Sequence, residues 1–278
     1  MMPKEIDYTM LSTFLTCRKK YELRMIRHLV LNVPPTAAEF GRCIHLALDE
    51  WHQSKDVKKA TEVFNAAYTE NPEDDKRTKA VAAKMLQLYH NQYVSDSIKV
   101  LATEVAFSLP LPETEINLIG RIDKIIEWDG AVYIMDHKTT SSLGASFFNK
   151  IKPNMQFDGY VWAAQQLGYP LCSGVVMDAL LVAKGLLVPA YLAKLTPNQR
   201  DISERTPLDV TRYLRNVSSI IGDLKSCYAR EEWYENTESC CDFVECPYRS
   251  ICKEDPGIHE AIIKSEYKVE VWDPRREK

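Results

Sequence analysis

The chain has 278 residues, of which 45% are hydrophobic, enough to build a substantial core. Its 35 basic and 39 acidic residues give a net charge of −4. This balance excludes a histone-like nucleic-acid coat and an acidic tail, so a polyanionic partner would need a local basic patch. No run approaches the roughly 18 apolar residues of a membrane span, and the start lacks the apolar core of a signal peptide. We therefore expect a cytoplasmic protein with no membrane partner.

The first hundred residues have the hydrophobic spacing of helices. Ser12 is placed to cap a helix over residues 14–29. Another helix, the third along the chain, is predicted over residues 72–94, with acids in its first turn, as the helix dipole favours. Between them, residues 34–53 predict a helix whose apolar residues fall on one face, namely Phe40, Ile44, Ala47, Leu48 and Trp51.

From about residue 102 the pattern changes to that of strands. Asp129-Gly130 is among the strongest short signals for a hairpin turn, and it separates two of the predicted strands. The strands are predicted over residues 102–109, 115–128 and 131–139. A helix is predicted next, over residues 153–167.

A second hairpin is predicted farther along the chain, with its strands over residues 174–183 and 186–195 and its turn at Lys184-Gly185. Apolar residues at helical spacing between Leu214 and Tyr228 then predict a long amphipathic helix. Together the elements predict a mixed α/β fold with a central mixed β-sheet flanked by helices.

We predict a single domain over residues 1–278, without internal repeats or a low-complexity linker. Its predicted parts are a helical N-terminal part (1–100), the sheet and catalytic core (101–195), a helix (196–239) and a cysteine-rich segment with the tail (240–278).

The register of the first hairpin brings acidic residues together. If the loop has two residues, paired positions sum to 259, and Asp123 lies opposite Asp136 on the same face. Lys138 shares that face because side chains alternate along a strand, whereas His137 points the other way. Two such carboxylates repel one another unless a proton or a cation lies between them. The pattern indicates either an Mg²⁺ or Mn²⁺ site or an ion-pair network in which Lys138 neutralises the carboxylates.

Eight cysteines in a reducing compartment are not expected to form a disulfide framework. Three of them are scattered and are interpreted as small buried residues: Cys43, Cys172 and Cys227. Four others crowd together near the C-terminus: Cys240, Cys241, Cys246 and Cys252. Crowded reduced thiols suggest a metal site.

Four short motifs resemble those of the PD-(D/E)XK nuclease superfamily, which has a restriction-endonuclease-like core. "GRID" at 120–123 and "DHK" at 136–138 resemble its GxxD and (D/E)xK signature. "GRCIH" at 41–45 and the pair Gln156 and Tyr160 resemble the GxxxH and QxxxY motifs of RecB-type exonucleases. His137 departs from the family pattern, in which an apolar residue is usual at this position.

The resemblance implies a role for each matched residue. Asp123, Asp136 and His45 would bind a divalent metal ion, with a further ligand from the backbone carbonyl of His137. Lys138 would hold or help to deprotonate the attacking water. Gln156 and Tyr160 would position the substrate strand. From the residues alone, His45 could equally be an ordinary helix histidine and Gln156 and Tyr160 a helix surface pair; His52 and Glu104 are weaker candidates.

The cysteine cluster has a second resemblance, to nucleases of CRISPR-associated spacer processing and of recombination helicases that hold a 4Fe–4S cluster. It implies that Cys17, Cys246 and Cys252 are ligands. The fourth is Cys240 or Cys241, and Cys240 is preferred because Phe243 then lies midway between it and Cys246, as in the family spacing. A structural Zn²⁺ bound by four cysteines is the alternative, as thiols alone would serve it equally well.

The expected partner is DNA, as a single strand or a duplex end, and a helicase or recombination protein is a further expected partner by resemblance. Basic residues near the cysteines could contact phosphates or could simply be a solvated helix face: Arg18, Lys19, Lys20, Arg24, Arg27, Arg249 and Lys253. Nearby aromatic residues could stack on bases or pack against the cluster: Phe14, Tyr21 and Tyr248.

The predicted function is therefore a metal-dependent DNA exonuclease acting in recombination, repair or DNA processing, encoded by a bacterium or phage. Two alternatives stay open. One is a DNA-binding or assembly subunit of a recombination or CRISPR-adaptation complex on the same fold. The other is a structural protein without catalytic activity whose cysteines are joined by a zinc ion.

Overall fold

The structure is a computed structural model that describes residues 1–33, 36–241 and 245–275. Phe243, which entered the choice between Cys240 and Cys241, lies outside the described residues. The chain divides into two compact units. The first unit comprises Met1–Pro34, Ala106–Gly120 and Thr211–Arg276, and the second comprises Pro35–Val105, Arg121–Val210 and Glu277–Lys278. The assignment of residues 1–278 to one domain stays a prediction.

The helices of the described residues are α1 Tyr8–Thr16, α2 Arg18–Tyr21, α3 Thr36–Ser54, α4 Val57–Ala67, α5 Lys79–Tyr93, α6 Ala145–Phe148, α7 Met155–Gln166, α8 Pro189–Leu192, α9 Pro207–Arg230, α10 Arg249–Cys252 and α11 His259–Glu266. The strands are β1 Glu5–Ile6, β2 Leu29–Leu31, β3 Lys99–Pro110, β4 Asn117–Trp128, β5 Ala131–Thr140, β6 Cys172–Leu181, β7 Asn198–Glu204 and β8 Tyr267–Val269. A π-helical turn, Glu22–Ile26, follows α2.

The first helix begins earlier than its sequence signal suggested. Its cap is Asp7, whose carboxylate accepts a hydrogen bond of 2.6 Å from the Met10 amide, and the predicted cap at Ser12 is wrong. The predicted continuous helix is also interrupted at Cys17, whose extended backbone ends α1 and precedes α2. The interruption places the Cys17 sulfur beside the amide of Lys20, the start of a new helix.

Helices α3, α4 and α5 lie in the second unit and share one buried core cluster. The apolar stripe predicted for α3 is confirmed, because all of its members are buried in one core cluster. The predicted third helix starts later than expected, at Lys79, where the Thr78 hydroxyl accepts a hydrogen bond from Val81. The acids expected in its first turn therefore precede it. Helix α4, capped by Asp56, has no counterpart among the predicted elements.

In the second unit the sheet neighbours are β4, β5, β6 and β7, in that order, and β3 pairs with β4. The pairs β4–β5 and β6–β7 are antiparallel, whereas β5–β6 is parallel. In the first unit β1 pairs in parallel with the start of β4, and β2 pairs with β8. The prediction of a mixed sheet flanked by helices is confirmed.

The second predicted hairpin is wrong. After β6 the chain forms a 3₁₀ turn over Lys184–Leu187 and the short helix α8, and the antiparallel partner of β6 is β7 instead. Pro189 explains the difference, because proline cannot donate to a strand ladder but suits the first turn of a helix.

Each unit has its own buried cluster. In the second unit, the faces of α3, α4 and α5 pack with the end of β6 around residues such as Phe40, Trp51 and Leu180. In the first unit, Leu23 and Leu29 pack with aromatic and aliphatic residues of the C-terminal segment. No helix in the described part of the chain is long and apolar enough to cross a membrane.

Candidate active site

The hairpin between β4 and β5 sets the position of the acidic residues. Asp129 and Gly130 have φ values of 50° and 81°, the pair of positive angles that a type I′ turn requires. The ladder runs from Trp128 paired with Ala131 to Lys124 paired with Met135, which is the predicted register. Asp123 and Asp136 are therefore the next positions on the two strands.

Asp136 and Lys138 project from the same face of β5 and contact one another. The Lys138 ammonium lies 3.0 Å from Oδ1 and 2.8 Å from Oδ2 of Asp136. Asp136 is only 4% exposed, whereas 38% of the Lys138 side chain is exposed, so the amine can meet a molecule arriving from solvent.

The pKa of Asp136 is affected by its burial and by the nearby carboxylate of Asp123. Burial raises the pKa of Asp136, and the negative charge of Asp123 raises it further, while Lys138 and then His45 act to lower it. Each of these groups therefore lies close enough to Asp136 for its charge to matter. Two carboxylates that repel each other in a buried position form an oxygen-rich site that a divalent cation fits.

His45 reaches this group from helix α3. Its Nδ1 lies 3.2 Å from Oδ2 of Asp123, and both side chains are largely buried. The glycine that opens the GxxxH motif has a steric role: a Cβ at Gly41 would lie 3.2 Å from the Thr139 hydroxyl on β5. Helix α3 can therefore approach β5 closely, and His45, one turn beyond Gly41, can contact Asp123.

His137 points away from this face, as predicted, into a buried polar cluster that the sequence analysis missed. Its ring is fully buried, and Nδ1 lies 3.1 Å from Oδ2 of Asp178 on β6. Burial lowers the pKa of His137 to about 4. Burial also acts to raise the pKa of Asp178, but the charge of Arg200 and the contacts with His137 and Tyr89 together outweigh it and lower that pKa to about 2. One acid in the otherwise apolar run of β6 was the signal that could have revealed the cluster.

The remaining candidates lie on neighbouring elements. Gln156 donates a hydrogen bond of 3.4 Å to the Tyr160 hydroxyl on α7, a helix that packs on β5 and β6. Both residues therefore form the helix pair expected of a QxxxY motif. Glu104 forms an ion pair of 2.9 Å with Arg121, which makes it a partner of the "GRID" arginine.

The four predicted cysteine ligands lie in the first unit, and several of their thiols influence one another electrostatically. Burial raises the pKa of Cys240, and the thiols of Cys246 and Cys17 raise it further. Burial also raises the pKa of Cys252 to about 11, with smaller contributions that include Cys246 and Cys17. Cys241, by contrast, is exposed.

The sulfur of Cys17 already accepts hydrogen bonds from the backbone. The amide of Asn236 lies 3.3 Å from it and the amide of Lys20 lies 3.5 Å from it. Amide hydrogen bonds to sulfur stabilise a thiolate, which is the form that binds iron or zinc. The sulfur of Cys17 therefore lies in surroundings that suit a metal-bound thiolate.

The basic residues near the cysteines are partly neutralised. Ion pairs join Lys19 to Glu22 at 2.6 Å, Arg27 to Glu260 at 2.8 Å and Arg249 to Glu245 at 2.7 Å. The interpretation as a solvated, ion-paired helix face therefore gains support for these three residues. The nearby aromatic side chains of Phe14, Tyr21 and Tyr248 are buried, so they pack inside the first unit and are not available to stack on bases.

A known family matches the chain in sequence, and one solved structure shares its fold. The sequence model of the PD-(D/E)XK nuclease superfamily matches residues 6–253. Among solved structures, a "putative exonuclease" from Eubacterium rectale superimposes with a TM-score of 0.51 at 14% identity, covering 86% of each chain. A structure of SSO0001 gives a TM-score of 0.31 at 14% identity, covering 80% of this chain and 77% of the other. No curated protein sequence matches the chain.

Proposed function

Since the chain belongs to the PD-(D/E)XK nuclease superfamily, whose members hydrolyse phosphodiester bonds, we propose that it is a divalent-metal-dependent DNA exonuclease. The observation that carries this proposal is the contact between motif residues on three elements: His45 with Asp123 and Lys138 with Asp136. The fold shared with the Eubacterium rectale protein supports the architecture alone, because the two chains are only 14% identical.

Asp123, Asp136 and His45 would hold the metal ion, with the backbone carbonyl of His137 as a further ligand. Oxygen ligands suit Mg²⁺ or Mn²⁺, and the imidazole favours Mn²⁺ somewhat. When bound, such an ion lowers the pKa of its water and neutralises charge on the phosphate.

The side chain of Lys138 is placed for two tasks. Its ammonium is held by both oxygens of Asp136, at 3.0 and 2.8 Å, while part of the side chain faces solvent. From this position it would orient the attacking water and stabilise the negative charge that develops on the phosphate oxygens. Gln156 and Tyr160 would orient the DNA strand by hydrogen bonds, since both side chains are only partly buried.

We also propose that Cys17, Cys240, Cys246 and Cys252 hold a 4Fe–4S cluster, with Zn²⁺ as the alternative. The amide hydrogen bonds to Cys17 and the mutual influence of the four thiols support a shared ligand set. Such a group would join residues 17 and 252, near the two ends of the first unit.

The proposed context is DNA recombination, repair or processing in the cytoplasm of a bacterium or phage-infected cell, with a helicase or recombination protein as partner. An assembly subunit on the same fold and a zinc-stapled structural protein are the alternatives. Neither requires the buried acids to contact a lysine and a histidine, so the geometry favours catalysis.

The test is cleavage of end-labelled single-stranded and double-stranded DNA under anaerobic conditions with Mg²⁺ or Mn²⁺. We expect metal-dependent cleavage by the wild-type protein and a loss of at least about 100-fold in Lys138→Ala. Lys184→Ala is the matched control, since Lys184 forms an exposed ion pair with Asp75. Equal cleavage by Lys138→Ala and wild type would overturn the catalytic assignment.

A further inference from the structure

On the far side of β5 from the catalytic acids, three buried side chains bring potential metal ligands together. They are His52 on α3, His137 on β5 and Asp178 on β6, and one ligand atom from each lies within 4.8 Å of the other two. Their exposures are 6%, 0% and 0%. His137 and Asp178 are directly opposite one another on neighbouring parallel strands, so the sheet register fixes their spacing.

The spacing is that of metal ligands. Nδ1 of His137 lies 3.1 Å from Oδ2 of Asp178, in a geometry that does not form a hydrogen bond. Two ligands of one tetrahedral ion with bonds of about 2.1 Å are about 3.4 Å apart, close to this separation. Both ring nitrogens of His137 and Nδ1 of His52 have no hydrogen-bond partner among the described residues. Buried polar atoms normally have partners, so these nitrogens call for an explanation.

Neighbouring side chains contact His52 and Asp178 in the way that hydrogen-bonding partners contact the ligands of a metal ion. The Tyr89 hydroxyl donates to Oδ2 of Asp178 and lies 3.2 Å from Nε2 of His52. The Arg200 guanidinium lies 3.2 Å from the other oxygen of Asp178. The contacts at Nε2 of His52 and at Oδ1 of Asp178 leave Nδ1 and Oδ2 as the atoms that can face an ion, and metal ligands typically have such partners on their second polar atom.

The surrounding charges are balanced before an ion binds. Arg200, besides contacting Asp178, forms an ion pair of 2.6 Å with Asp96, and the buried Lys124 is paired with Asp49. Lys55 is 4.0 Å from Asp96. Burial lowers the pKa of both His52 and His137, and the positive charge of Lys124 lowers each further, so both rings are neutral, which is the form that binds a metal ion.

We propose that His52, His137 and Asp178 form a second, structural metal site for Zn²⁺ or a similar ion that prefers imidazole and carboxylate ligands. The fourth position would belong to a water molecule. The ion would join α3 to β5 and β6, and thereby fix the helix that carries the catalytic histidine against the strand that carries Asp136. The argument for this site does not rest on the proposed nuclease function, although the rings of His137 and of His45 are neighbours, with centroids 5.9 Å apart.

Crystals of the full-length protein grown with Zn²⁺ test the proposal directly. An anomalous difference peak at the zinc edge, between His52, His137 and Asp178, is the expected result. Absence of the peak overturns the proposal. Because this measurement uses the wild-type chain, it does not depend on whether any variant folds.

Titration with Co²⁺ gives the same test in solution. In Asp123→Asn/Asp136→Asn protein, which lacks the catalytic carboxylates, we expect one equivalent of Co²⁺ to give visible ligand-field bands of a site without sulfur. Any Co²⁺ bound by the cysteines is distinguished by the intense charge-transfer bands of thiolate ligands. Adding His52→Gln should abolish these bands while circular dichroism shows a folded chain. Bands that persist in the triple variant, or that never form in the double variant, would contradict the assignment.

Discussion

Replacing Gly41 by alanine tests how helix α3 positions the candidate active site. The added Cβ would lie 3.2 Å from the Thr139 hydroxyl, closer than the ordinary contact range that starts at 3.4 Å. The Thr139 hydroxyl must therefore give way by a few tenths of an ångström. Because it lies on β5, we expect part of this shift to separate helix α3 from the strand. His45, one turn farther along the helix, would then move relative to Asp123, from which it now lies 3.2 Å away.

The expected effects on stability and activity differ. Alanine stabilises a helix interior by about 1 kcal/mol relative to glycine, and a mild steric clash costs about 1 kcal/mol. We therefore expect the free energy of unfolding of Gly41→Ala to stay within about 1 kcal/mol of wild type. A catalytic group displaced by 1 Å loses about 100-fold in rate, so a shift of a few tenths should cost about three- to fivefold.

Urea unfolding and Mn²⁺-dependent cleavage rates measure the two effects. Gly222→Ala in α9 is the matched control, because an added Cβ there meets nothing within 4 Å. It should gain about 1 kcal/mol of stability with unchanged cleavage. Thr139→Ala removes the clashing hydroxyl, so the Gly41→Ala/Thr139→Ala protein should recover the rate of Thr139→Ala alone. A Gly41→Ala protein that is fully active and as stabilised as Gly222→Ala would refute the reasoning.

Further predictions concern the carboxylate pair, the cysteine ligands and the turn. Burial and the charge of Asp123 raise the pKa of Asp136 in the folded protein above the value of 3.8 expected in the unfolded chain. As the pH rises from 3.8 through the pKa of the folded protein, the carboxyl group must ionise in unfavourable surroundings, and the native state loses stability. Asp136→Asn should therefore raise the urea midpoint at pH 7 while abolishing cleavage, and a lowered midpoint would contradict this. Anaerobically purified Cys240→Ser should lose absorbance near roughly 400 nm and Cys241→Ser should keep it, whereas the reverse result would reassign the ligand. Gly130→Ala should lower the free energy of unfolding by about 1 kcal/mol because φ is +81° there, and an unchanged value would count against the turn assignment.

The local parts of the site could be predicted from the sequence. Asp129-Gly130 specifies a two-residue turn, and such a turn fixes which residues of the two strands face each other. The alternation of side chains then places Asp136 and Lys138 on one face and His137 on the other. These relations involve neighbours on one hairpin, and the structure has the predicted register.

Other predictions failed where distant residues compete with a local pattern. The stretch after β6 has the apolar composition of a strand, but Pro189 favours a helix and β7 supplies the strand pairing. Ser12 is a suitable helix cap, but Asp7 caps an earlier helix start. Which residue caps a helix depends on where the helix begins in the packed structure, and the local sequence pattern does not specify that position.

The sequence by itself determined the hairpin register, the apolar face of α3 and the set of motif residues, because each depends on spacing along one element or one turn. Only the tertiary structure decided that Gly41 lies against Thr139, that His45 meets Asp123 and that His52 shares a buried cluster with a residue of β6. These contacts join residues far apart in the chain. Their distances depend on how a helix docks on a sheet, which is set by the packing of many side chains at once.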